Sequence, residues 1–111
     1  MEGSLKVAAI RRLNDELRSS GRGGRMVMTS GIEALGSEQI AKIMGAMRQF
    51  DAFGKANDPH GEHDCATVTV DGIAVIWKID YYDLSMTRHS PDAADPAVTT
   101  RVLTVMLAEE Y

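Results

Sequence analysis

The chain has 111 residues, 44% of them hydrophobic and 25% charged, and a formal net charge of −4. That length suits one domain, residues 1–111, and the composition excludes a disordered, collagen-like or coiled-coil chain. The single cysteine, Cys65, excludes an intramolecular disulfide framework, and no run approaches the roughly 18 apolar residues of a membrane span.

The first element is a helix over residues 5–18. Ile10, Leu13 and Leu17, with Val7 beside them, form one apolar stripe. Arg11, Arg12 and Asp15 interrupt it, so it is no signal-peptide core, and the cytoplasm is the expected location. Gly21 suits the left-handed position after the helix. The GRGGR stretch that follows reads as a flexible loop. It does not match the phosphate-binding G-x-x-x-x-G-K-[ST] pattern, and it leads into a short strand at residues 25–29.

Ser30-Gly31-Ile32-Glu33 has the capping-box spacing, predicting one helical turn that Gly36 ends. A longer helix is predicted over residues 38–53, with Ile40, Ile43, Met44, Met47 and Phe50 at helical spacing. Residues 54–64 begin with turn formers, Asn57, Asp58, Pro59 and Gly61. Residues 65–71 and 73–80 then read as two strands joined at Asp71-Gly72, a two-residue hairpin signal. In that register paired positions sum to 143. Ala66, Val68, Val70, Ile73, Val75, Trp77 and Ile79 share one face, the predicted core face. His63, Cys65, Lys78 and Asp80 fall on the other, with His63 opposite Asp80. Asp95-Pro96 is a helix-start signal, and a last helix is predicted over residues 96–109 on Val98, Val102, Val105 and Met106. These elements predict an α+β fold: a small antiparallel sheet with a central Asp-Gly hairpin, packed on one face by about three helices.

Charge is uneven along the chain. Residues 1–28 carry six Lys and Arg against three acids, or +3; residues 29–111 carry six against thirteen, or −7. Residues 57–95 alone carry eight acids against Lys78 and Arg88, or −6. This pattern weighs against direct nucleic-acid binding, which needs a broad basic footprint. It favours a partner with a basic surface.

Two constellations carry chemistry. Residues 58–64, DPHGEHD, hold two histidines and three acids, so His60, Glu62 and His63 are candidate metal ligands. The spacing is not that of a helical H-E-x-x-H site, and a polar loop bonding its own turns accounts for the same residues. His63 and Asp80, placed opposite each other by the hairpin, are candidate catalytic partners, and Lys78 lies opposite Cys65. A cross-strand ion pair on a solvated face accounts for these too.

The phrases NDPHGEHD, WKIDYYD and DPAVTTRVLTVMLAEEY resemble the alphaproteobacterial domain-of-unknown-function family 3768, over nearly the whole chain. The resemblance implies bacterial origin and an accessory-gene setting, including plasmids, but no activity and no cofactor. In this family the position of Cys65 is usually apolar, which implies that Cys65 is not a nucleophile. Accessory setting and acidic surface together point to a macromolecule-binding protein rather than an enzyme. An inhibitor of a nucleic-acid-binding host defence complex is the specific expectation, with Glu62, Asp64, Asp80, Asp83, Asp92 and Asp95 as binding residues. The alternative is a small metal- or His-dependent enzyme built on His60–Asp64 and Asp80–Asp83.

Overall fold

The N-terminal apolar stripe winds into α1 (Glu2–Ser20) in a computed structural model that describes residues 2–111. Gly21 ends α1 at φ 78°, and its N–H bonds the Leu17 carbonyl at 2.8 Å. β1 (Arg25–Met28), α2 (Ser30–Glu33) and α3 (Ser37–Gln49) follow. Then come β2 (Cys65–Val70), β3 (Ile73–Tyr82) and β4 (Thr100–Leu107), with 3-10 turns at Pro96–Val98 and Ala108–Glu110. The fold is α+β. The sheet runs β1-β4-β3-β2, antiparallel except where β1 lies parallel to β4. It is therefore mixed, not purely antiparallel as the sequence suggests.

β2 and β3 pair with Val70 opposite Ile73, and Asp71 and Gly72 between them both have positive φ, 51° and 80°. That is the twist-matched turn that Asp-Gly favours. The pair lies at one side of the sheet, since β2 is an edge strand. Ala66, Val75, Trp77 and Ile79 are buried on the predicted core face. Leu17 of α1, Ile32 of α2, and Ile43 and Met47 of α3 pack against them, with Leu103 and Val105 of β4. All three helices thus cover one side of the sheet.

The largest departure from the sequence reading is the last helix. Asp95 does cap a turn, accepting from the Ala97 N–H at 2.9 Å with Pro96 in the first position, but the turn closes after Val98. Residues 100–107 are instead a strand inserted between β1 and β3. Val98, Thr99, Thr100, Val102, Thr104 and Val105 are β-branched and suit the pleated surface. An inner strand carries apolar residues on both faces, so its run imitates a helical stripe.

The capping box at Ser30 also fails. The α2 helix begins at Ser30 itself, and Thr29 at the cap position makes no side-chain cap bond. Glu110 serves this corner from the other end of the chain. Its carboxylate accepts from Thr29 Oγ1 at 2.6 Å, Gly31 N–H at 3.3 Å and Leu107 N–H at 2.8 Å.

Candidate functional site

The 50–64 loop returns from α3 to β2 across α1, and there the chemistry-bearing side chains collect. His63 sits at φ 54°, a left-handed conformation uncommon outside glycine, and it departs from the strand alternation that would place it beside Asp80. Its ring stacks on Phe53 at 3.8 Å and 6°. Phe53 in turn meets the edge of Trp77, which lies on the core face. His63 Nδ1 is 2.9 Å from Asp15 Oδ1, and Nε2 is 3.6 Å from Asp58 Oδ2. The His63 backbone N–H donates to Asp58 Oδ1 at 3.1 Å. The proposed pairing with Asp80 is thus replaced by pairing with Asp15 and Asp58. Asp80 meets Lys78 at 3.1 Å on the opposite face of the sheet.

Arg18 completes this cluster. Its Nη2 donates to the Asp15 Oδ1 that also faces His63. Its Nη1 reaches the carbonyls of Met47, Arg48 and Phe50 at 3.1, 3.3 and 2.8 Å, at the open end of α3. A buried cation at a helix C-terminus satisfies orphan carbonyls and complements the dipole. Asp58 is buried, so its carboxylate depends on His63 for polar company.

A second network lies beside the first. Asn14 is fully buried. Its amide donates to the Glu62 carbonyl at 3.0 Å and the Tyr81 hydroxyl at 2.8 Å, and its Oδ1 accepts from Arg101 Nε at 2.7 Å. The Tyr81 hydroxyl donates to Glu62 Oε1 at 2.8 Å. Arg101, also buried, gives Nη2 to the Ala93 carbonyl and lies 5.0 Å from the centre of the Tyr81 ring. Burial pushes the Tyr81 phenol well above its ordinary value, and the Glu62 bond adds to the rise. Burial also draws the Arg101 guanidinium down.

The remaining candidates divide by their partners. Among the described residues, no group of three or more His, Cys, Asp and Glu is placed to hold a metal ion. His60 is exposed, Glu62 faces Tyr81, and His63 faces Asp15 and Asp58. Cys65 does lie opposite Lys78, but burial pushes its thiol up, with Asp64 adding to the rise. Burial likewise raises the Asp64 carboxyl. Asp83 opposes burial with bonds from the Thr87 and Arg88 N–H groups and the Ser85 and Thr87 hydroxyls, which hold its carboxyl low. Asp92 accepts from the Ala94 N–H at 3.1 Å and Asp95 from the Ala97 N–H at 2.9 Å.

Sequence reasoning missed Asn14, Asp15, Arg18, Phe53, Asp58, Tyr81 and Arg101 as parts of these networks. One signal was present for Arg101, a lone charge inside an apolar β-branched run. Asn14 and Arg18 flank Leu17 at helical spacing, which places polar groups on a core-facing stripe. A family model described as "Protein of unknown function (DUF3768)" matches residues 28–110. No curated protein and no solved structure matches the chain.

Proposed function

Since the chain belongs to the DUF3768 family, whose description assigns no activity, we propose from its own surface that it is a macromolecule-binding protein with an acidic docking face. The observation that carries this reading is the way Asp83, Asp92 and Asp95 are held. Each carboxylate accepts backbone N–H bonds within the segment 83–97. Such bonds fix the position of each carboxylate. Fixed negative charge attracts a basic surface and accelerates encounter. The partner is a protein or complex whose basic groove normally holds nucleic acid, and an inhibitor of a bacterial defence complex carried on a mobile element fits that description.

The metal- or His-dependent alternative has less support. Both ring nitrogens of His63 already face carboxylates, and Cys65 lies on the strand edge with its thiol pushed up. A general base needs a nitrogen within reach of a substrate proton.

The test uses neutral variants that keep the turns. Asn at positions 83, 92 and 95 retains an acceptor oxygen but removes the charge. Affinity capture from a bacterial lysate with the parent protein should retain a basic partner that elutes with salt. Capture by the triple variant Asp83→Asn, Asp92→Asn, Asp95→Asn should fall by about tenfold or more, corresponding to about 1.4 kcal/mol. A partner held equally by both proteins, or indifferent to ionic strength, rejects the acidic docking face. Turnover abolished by His63→Ala would instead establish the enzyme reading.

A further inference from the structure

Among the described residues, β2 is paired on one side only. The order β1-β4-β3-β2 gives it β3 as its single neighbour. Just before it, the Ile79 N–H donates to the Asp64 carbonyl at 2.7 Å, which marks Asp64 and Ile79 as a hydrogen-bonded pair. Bonded and non-bonded pairs alternate along an antiparallel ladder. Ala66, Val68 and Val70 therefore bond to Trp77, Val75 and Ile73, and Cys65, Thr67 and Thr69 turn their backbone groups outward. Among the described residues these outward N–H and C=O groups have no hydrogen-bond partner.

Proteins usually blunt such an edge with proline, charge, a bulge or a covering segment. The strand CATVTV has neither charge nor proline, and its register with β3 runs unbroken through all six residues. Thr67 and Thr69 are exposed. Of the charges near it, Asp71 is matched by Lys42 at 3.1 Å and Lys78 by Asp80 at 3.1 Å, while Asp64 flanks the strand at its start.

We infer that this edge is a self-association surface and that its partner is a second copy of the same chain. The outward groups are symmetric about Thr67. Antiparallel pairing centred there sets Cys65 against Thr69 of the second copy and Thr67 against Thr67 of the second copy. Every outward N–H then meets an outward C=O, and Thr–Thr pairs across strands are favourable. The isologous two-fold contact closes on itself, joining two four-stranded sheets into one. A charged or proline-bearing strand from another protein would match the neutral Thr-rich edge less well. The contact is independent of the acidic docking face, and its salt dependence has the opposite sign. Two copies each carry −4, so screening strengthens self-association while it weakens capture of a basic partner.

Sedimentation equilibrium of the intact chain tests this. The parent should approach twice the 12.1 kDa chain mass as concentration rises, and more readily at high salt. Thr67→Pro deletes one outward N–H at an edge position where proline is tolerated, and it should abolish the dimer. Thr67→Lys places two like charges at the dyad and should do the same even where the proline perturbs folding. Circular dichroism and Trp77 fluorescence check that each variant remains folded. The register has its own test. Under mild oxidation Thr69→Cys should give a covalent dimer through native Cys65, because these positions face each other between copies. The parent, with Cys65 opposite Thr69, should not. A parent that stays monomeric at its highest soluble concentration overturns the proposal. So does a dimer that survives both Thr67 variants, or a Thr69→Cys protein that cross-links no faster than the parent.

Discussion

Arg101 Nε donates to Asn14 Oδ1 at 2.7 Å, joining the buried start of β4 to the buried face of α1. The two residues stand 87 positions apart in the chain. Removing Asn14 leaves a buried guanidinium short of one acceptor and a phenol short of one donor. A charged group stranded in this way costs more than the usual 1–3 kcal/mol of a lost buried hydrogen bond. Asn14→Ala should therefore lower unfolding free energy by about 3 kcal/mol or more. The double variant Asn14→Leu, Arg101→Met should lose less than the sum of the two single variants, because the stranded charge is gone. Urea denaturation of the four proteins measures this, and strict additivity would contradict the coupling.

Trp77 has no exposed surface and touches the Phe50–Phe53 pair edge-on at 6.2 and 6.0 Å. Trp77→Ala should cost about 3–5 kcal/mol, the usual range for a buried large aromatic. Phe53→Ala should also loosen His63, whose ring stacks on Phe53. Amide exchange across residues 50–64 should quicken in Phe53→Ala more than in β4. Uniform quickening would show global destabilisation instead.

Much of this fold was readable from the chain. The alternation of Ala66, Val68 and Val70 with Ile73, Val75 and Trp77, set about Asp71-Gly72, fixes both register and core face. The stripes of α1 and α3 are equally plain. β4 was not readable, because an inner strand is apolar on both faces and Asp95-Pro96 supplies a genuine turn signal ahead of it. His63 departs from the sequence expectation for a local reason. Strand alternation predicts it beside Asp80, whereas the chain leaves the extended region there at φ 54°. The partners of His63, Asp15 and Asp58, are set by how α1 and the loop pack, and no local spacing encodes that.

Glu110 makes the acid limb of stability testable. The Thr29 hydroxyl and the Leu107 and Gly31 N–H groups hold its carboxyl below the ordinary value. A depressed folded pKa gives stability that is present above the unfolded value, about 4.3, and lost as pH falls through the folded value. Asp71 and Asp83 are also lowered and share that window. Glu110→Gln should flatten the fall in the urea midpoint below about pH 4. Gly31→Ala should act similarly, since its new Cβ would lie 2.6–2.7 Å from the Glu110 carboxylate and displace it. An acid limb unchanged in both variants would remove Glu110 from this role.

Tyr81 governs the alkaline limb. Burial holds its phenol above the ordinary value, and its hydroxyl bridges Asn14 and Glu62. The folded chain therefore keeps the proton that the unfolded chain releases above about pH 10. A raised folded pKa gives stability that is complete below the unfolded value and lost as pH rises towards the folded one. Cys65, also raised, begins the same loss at about pH 8.5. Tyrosinate absorbance should thus show one of the three phenols ionising only as the protein unfolds. Tyr81→Phe deletes this linkage but leaves Glu62 without its donor, so it should be less stable than the parent near neutrality by about 1 kcal/mol. The difference should narrow steadily above about pH 10 as the parent loses the Tyr81 contribution. A constant difference across that range would mean that the Tyr81 phenol ionises as freely in the folded chain as in the unfolded one.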